Sequence, residues 1–448
     1  MKALRFAAFL VLSAALTMSA AEARSTADLT QLAKDNSPQL AQAIQDSFAA
    51  KDLQAGTAWS GKLHEFFFAL RAATRPVLFI DDAPGPAMQQ IPSSDLWFAA
   101  ARIERLGALH SFHYELDGKE FGGSINLPAY TELSYLLPGV KEGTLSPMLN
   151  MTSNIYDGMV SSYWIYVPAS YDPAVPAALM VFQDGGAYIN RDTGLKTLNV
   201  IDNLIYQKKI PTVICVFVNP GKIAGPAGNP TYDFVKAYGD KRHRNGLDDA
   251  MRSTLYDTVS DRYPRFLRDE LIPLVAAKFN IRKDAYSRAI TGMSSGGIAS
   301  FNAAWQMPDQ FSRVLTWIGS FTSIQWKETP GVSDGGQDYP EKVLREPRRN
   351  IRVWLQDGSE DIEWNQFGSW PLANLRMANA LKLNDYDFHF SAGKGNHNGA
   401  HGDAQFPQAM IWLWRDYDPA KTSQTYEMEA VEKAKPVFRV RVYNRDTE

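Results

Sequence analysis

The stretch Gly292-Met293-Ser294-Ser295-Gly296 limits the fold of this chain more than any other. The apolar pair Ala289-Ile290 precedes it, and a helix-patterned run, Ile298 to Trp305, comes after it. Strand, tight turn and helix in that order predict a nucleophile elbow: the glycines let the chain bend sharply, and the serine hydroxyl stands clear above a sheet edge. The amide of Ser295, at the start of the helix, would then face a developing oxyanion. A bare Gly-x-Ser-x-Gly is also an ordinary turn, so the reading depends on finding partners for the serine further along the chain.

A serine nucleophile needs a base, and the base needs an orienting acid. With this elbow the expected chain order is serine, acid, histidine. Ile351 to Gln356 reads as a buried strand that ends in the acid-rich loop Asp357-Gly358-Ser359-Glu360-Asp361. Asp361 is the expected acid, because it lies beyond the strand end where a loop can swing it toward an imidazole. Asp357 and Glu360 are its rivals, and Asp357-Gly358 also reads as a plain turn. Tyr386 to Phe390 alternates like a strand and leads into a loop holding His397 and His401. His397 is the expected base and His401 the alternative. His389 reads as structural, and His64, His110, His113 and His243 precede the elbow.

The segment from about Tyr163 to Tyr417 resembles the esterase D and enterochelin-esterase family of α/β-hydrolases. The resemblance rests on Tyr163-Trp164-Ile165-Tyr166-Val167-Pro168, on Leu179 to Gly186, on the elbow, on the Asp-Gly-x-x-Asp loop and on Gly-x-His-Asn. It implies a triad of Ser294, Asp361 and His397. It also implies an oxyanion loop at Gly185 and Gly186, which would work with Ser295. Asn396 stands where the family usually has a second glycine, and His401 lies four residues beyond His397, which keeps the choice of base open. The family implies ester substrates: feruloyl or acetyl esters of polysaccharides, or a siderophore ester. It also includes acyltransferases, and a catalytically retired glycan-binding protein is the reading from a different class. No cofactor is implied.

Lys2 and Arg5, the apolar run Phe6 to Leu16 and Ala21-Glu22-Ala23 read as a signal peptide over residues 1–23. The expectation is a secreted or periplasmic enzyme without a membrane anchor. Hydrophobic residues at 45% and charged residues at 21% describe a globular chain, and a net charge of −3 gives no basic footprint for nucleic acid. The single cysteine, Cys215, lies in the apolar run Val213 to Val218 and reads as core. No cluster has metal-ligand spacing.

The 448 residues leave room for a second domain. Residues 24–145 read as a helical segment followed by a small immunoglobulin-like β-sandwich, because short alternating runs are punctuated by turn signals. Trp97, Phe98, Phe112 and Tyr114 offer either a sugar platform or core. Residues 146–420 read as the α/β-hydrolase domain and 421–448 as a tail. Within the hydrolase, an insertion from about 221 to 261 carries Arg242 and Arg244. These arginines, together with Trp364, Trp370 and His401, are the expected substrate-binding residues.

Overall fold

A computed structural model of the protein describes residues 26–222, 247–325, 335–363 and 366–440. The expected signal peptide at residues 1–23, Arg242, Arg244 and Trp364 lie outside the described residues. The chain forms two compact units. One runs to Ile103 and adds His113–Gly123; the other comprises Glu104–Phe112 and everything from Ser124 onward.

The first unit opens with helices Thr26–Lys34, Leu40–Ser47 and Ala50–Ala55. An antiparallel sheet comes next, in the order Ala58–Lys62, Glu65–Arg71, Leu96–Arg102, Gln89–Gln90. Leu29, Ile44 and Leu53 of the helices pack with Phe67, Ala69 and Phe98 of the sheet. A second four-stranded sheet has the order Ala83–Pro84, Val77–Ile80, Ala108–Leu116, Lys119–Ala129. Trp97, Phe98, Phe112 and Tyr114 are all buried, and the Trp97 indole donates to the Ala72 carbonyl at 3.1 Å. Of the two readings, core fits: Trp97 and Phe98 follow one another in a strand and so point to opposite faces, and both are buried.

The larger unit is built on a nine-stranded mixed sheet. Its strands are β1 (Leu149–Ser153), β2 (Met159–Val167), β3 (Ala178–Gln183), β4 (Val213–Val218), β5 (Arg288–Met293), β6 (Arg313–Trp317), β7 (Arg352–Gly358) and β8 (Asp387–Gly393), with the short strand Thr144–Leu145 beside β2. The order is β1-β2-β4-β3-β5-β6-β7-β8. β1, β2 and β4 pair antiparallel, and every pair from β4 to β8 is parallel.

Both faces of the parallel part are covered, so its strands are apolar throughout rather than alternating. The two-residue period decides only which layer each side chain joins. Leu179 and Val181 of β3 pack with Phe301 and Met377 on one face; Met180 and Phe182 pack with Leu198 and Phe406 on the other. The covering helices are α1 (Thr197–Tyr206), α2 (Leu247–Tyr256), α3 (Ser295–Gln306), α4 (Tyr339–Arg345), α5 (Trp370–Leu383) and α6 (Ala400–Leu413). Cys215 is fully buried in the second layer, as its apolar run predicted. Among the described residues no helix is long and apolar enough to cross a membrane. Functional loops gather at the C-terminal ends of parallel strands, and the elbow, the acid loop and the histidine loop come directly after β5, β7 and β8.

Candidate active site

Ser294 sits between β5 and α3 with φ 54° and ψ −121°, a conformation costly for a residue with a Cβ. Neighbouring packing holds it there. Ser294 N–H donates to the Trp317 carbonyl at 2.9 Å, and its own carbonyl accepts from Gly297 and Ser320 at 2.9 and 3.1 Å. The motif glycines have a steric cause: a Cβ on Gly292 would stand 2.5 Å from the Gly296 carbonyl oxygen, and one on Gly296 would meet Asp184 and Gln183 at 3.1 Å.

Ser294 Oγ lies 2.8 Å from His397 Nε2. His397 Nδ1 lies 2.6 Å from Asp361 Oδ1. The structure therefore brings the serine, the favoured histidine and the favoured acid into one row. Asp361 is 3% exposed, and its Oδ1 also accepts the Ile362 amide hydrogen at 2.5 Å. Glu360 is exposed and points to Ser359. His401 is buried and pairs with the Gln356 side chain at 2.9 Å. Burial, then the Arg105 charge, pushes its pKa down to about 4, so it is neutral near pH 7. His389 stacks on Trp354 with ring centroids 4.0 Å apart.

The loops of Asp361 and His397 touch through backbone. A Cβ on Gly358 would fall 1.8 Å from the Gly395 carbonyl oxygen, so only glycine lets the two loops cross. The base loop is also braced by Asn126, whose Oδ1 accepts the Asn396 amide hydrogen at 3.3 Å.

A second hydroxyl reaches Ser294. Ser320 Oγ lies 3.2 Å from Ser294 Oγ and 3.1 Å from Trp370 Nε1. An indole N–H can only donate, so Ser320 accepts from Trp370 and has its own hydrogen to give Ser294. The Ser294 hydrogen is then directed to His397 Nε2, and the His397 Nδ1 hydrogen to Asp361. Trp370, expected as pocket lining, also sets its ring edge against His397 at 5.6 Å between centroids.

Ser295 is the first residue of α3, where the helix ladder leaves an amide without an acceptor. The expected oxyanion loop forms a tight turn, Gly185–Ala187, after Asp184 in the left-handed region at φ 55°. The Gly186 amide already donates to Asn219 Oδ1 at 2.9 Å. Arg252 of α2 grips the Asp184 carboxylate with two hydrogen bonds of 2.8 and 2.7 Å, and Tyr256 Oη accepts the Asp184 amide hydrogen at 3.2 Å. Sequence reasoning missed Ser320 and Arg252. Nothing around Gly319-Ser320 or within α2 signals a part in the site, because each acts across distant chain. Among the described residues no cluster of histidine, cysteine or carboxylate could hold a metal ion.

The family model described as "Putative esterase" matches residues 161–413. The chain belongs to this esterase family. A curated relative, the iron(III) enterobactin esterase of Dickeya dadantii strain 3937, is 24% identical over 173 residues, which is 35% of this chain and 36% of that protein. The match thus spans about a third of the relative's length. Among solved structures, the ferric enterobactin esterase of Salmonella typhimurium superposes with a TM-score of 0.50 at 15% identity, covering 81% of this chain and 97% of that one. A ferulic acid esterase of Anaeromyces mucronatus superposes with a TM-score of 0.46 at 14% identity, covering 63% and 95%. The likeness to the Salmonella typhimurium structure is one of fold.

Proposed function

We propose that the protein is an exported serine carboxylesterase that works through an acyl-enzyme on Ser294. The observation that carries this reading is the continuous row of hydrogen-bond contacts through Ser320, Ser294, His397 and Asp361. His397 Nε2 takes the Ser294 proton as Oγ attacks the ester carbonyl carbon. Asp361 stabilises the imidazolium. His397 then passes the proton to the leaving alkoxide as the ester C–O bond breaks. Water repeats the sequence: it loses a proton to His397, bonds to the acyl carbon and releases the acid, and Ser294 regains its hydrogen. The developing oxyanion is held by the Ser295 amide and by the Gly185–Gly186 turn, whose Gly185 amide we take as the donor because Gly186 serves Asn219.

The substrate we propose is a siderophore ester or an acylated polysaccharide. The first is suggested by the match to an iron(III) enterobactin esterase, the second by the family resemblance of the sequence. Arg242, Arg244 and Trp364 remain proposed binding residues, and Trp370 and His401 act by shaping the site. The two four-stranded sheets of the N-terminal region are proposed as an immunoglobulin-like sandwich. Export is proposed from the leader alone, with sequencing of the secreted protein's N-terminus as its check.

The test of the chemistry is Ser294→Ala. The variant is expected to lose esterase activity and labelling by a serine-directed phosphonate while its melting temperature stays near that of the wild type. Full activity in the folded variant, or phosphonate bound at Ser295, would overturn the assignment. Kinetics on aryl, acetyl and feruloyl esters and on a siderophore ester then rank the substrates.

A further inference from the structure

The acid end of the row contains a second carboxyl group that the esterase mechanism does not use. Asp357 lies at the end of β7 and is 2% exposed. Its Oδ1 accepts the Gly358 amide hydrogen at 2.8 Å. Its other oxygen, Oδ2, is buried and has no hydrogen-bond donor, and the same is true of Asp361 Oδ2. The two carboxyl groups lie within hydrogen-bonding reach of each other. Asn374 lies beside them, with its side chain within reach of the Asp357 carboxyl, but its amide hydrogens are directed elsewhere. Its Nδ2 group donates to the carbonyls of Gly319 and Trp370 at 2.9 and 3.1 Å, and its Oδ1 also lacks a donor.

Two buried carboxylate oxygens that lack a donor cost the desolvation of each. Two carboxylates side by side would add repulsion at low dielectric. One proton relieves both. We infer that Asp357 is a neutral carboxylic acid whose hydrogen is donated to Asp361 Oδ2, making it a positioning residue for the acid of the triad. Burial first, and then neighbouring Asp361, pushes the Asp357 carboxyl well above the usual carboxylate range.

The consequence for Asp361 is twofold. Both its oxygens are occupied, Oδ1 by His397 and Ile362 and Oδ2 by Asp357, so the carboxylate plane cannot rotate away from the imidazole. The shared proton also sits on Asp357, which leaves Asp361 free to carry the negative charge that the imidazolium requires. Exposed Glu360, on the same loop, has no route into this arrangement.

The inference rests on Asp361 being the acid of the proposed esterase. Asp357→Asn keeps both bonds, because the amide oxygen can accept from Gly358 while the amide nitrogen donates to Asp361. It is expected to keep kcat within a few-fold of the wild type. Asp357→Leu keeps the bulk but removes the donor. It is expected to lower kcat roughly tenfold or more, the scale of one hydrogen bond to a charged group, with KM little changed. The infrared spectrum of the full-length protein at neutral pH provides a readout that does not need activity. Wild type minus Asp357→Asn is expected to show one carbonyl stretch of a buried carboxylic acid. The Asp403 carboxyl, pushed up to about 8 by burial, contributes equally to both spectra and cancels. A difference spectrum without that band, or an Asn variant as impaired as the Leu variant, would overturn the inference. Neither result bears on Ser294. Conversely, an active Ser294→Ala would remove the esterase reading and leave the infrared band in place.

Discussion

At the residue scale, His397, in the loop after β8, and His401, in the first turn of α6, differ in what they touch. His397 bridges Ser294 and Asp361, whereas His401 is buried against Gln356. His397→Ala is expected to cost roughly 10³-fold or more in kcat, in the range of losing a triad member. His401→Gln should cost less than about tenfold. The reverse ranking in steady-state kinetics would make His401 the base. His401 should instead contribute to acid stability. Its pKa is depressed to about 4 from the ordinary histidine value of 6.5, so unfolding allows it to take up a proton. The stabilisation is fully present above 6.5 and fades as the pH falls toward 4. The melting temperature of His401→Gln should therefore fall less between about pH 7 and pH 4 than that of the wild type. Equal slopes would refute this account. The sequence made both histidines visible but could not separate them. Four residues of glycine-rich loop carry no periodicity, and only the burial of one and the reach of the other distinguish them.

At the scale of elements, the strand-to-helix elbow was legible because its glycines have a local cause. Gly292 and Gly296 crowd each other within a single turn. Gly358 was not legible for its real purpose. Asp357-Gly358 reads as a turn, yet the glycine gives clearance to Gly395, a residue from another loop. Gly358→Ala is expected to force the acid and base loops apart. Overpacking of this kind typically costs about 1–3 kcal/mol, and kcat should drop by at least about tenfold as the Asp361–His397 bond lengthens. A variant with wild-type kcat would show that the loops yield without disturbing the row. Ser320 and Arg252 were unreadable for a similar reason. Ser320 lies beyond the end of β6 and meets Ser294 from 26 positions away, and Arg252 grips Asp184 across 68 positions. A hydrogen bond over that span leaves no pattern in the order of residues.

At the scale of the molecule, the sequence separated a β-rich N-terminal region from an α/β region, and the larger sheet and its two covering layers match the apolar runs from Leu179 to Phe390. Composition could not show that the larger unit reaches back toward the N-terminus for part of its site. Leu109 lies against Gly395, and Asn126 holds Asn396, next to the base. A chain beginning at Thr144 lacks both residues. It is expected to hydrolyse even a small aryl ester more slowly than the full chain. Asn126→Ala in the full chain should reproduce part of that loss, a few-fold in kcat, because only one weak brace is removed. Unchanged kcat in the point variant would mean that the base loop holds itself.

The interleaving of the two units has a consequence during synthesis. The chain passes from one unit to the other after Ile103, after Phe112 and after Gly123, so residues of the catalytic unit leave the ribosome before the first unit is complete. Asn126 must then wait for a partner 270 positions later. The nascent chain passes through most of its translation with its nucleophile or its base still missing. A protease that nicks one of the crossings does not by itself free either unit, because the remaining crossings still join them.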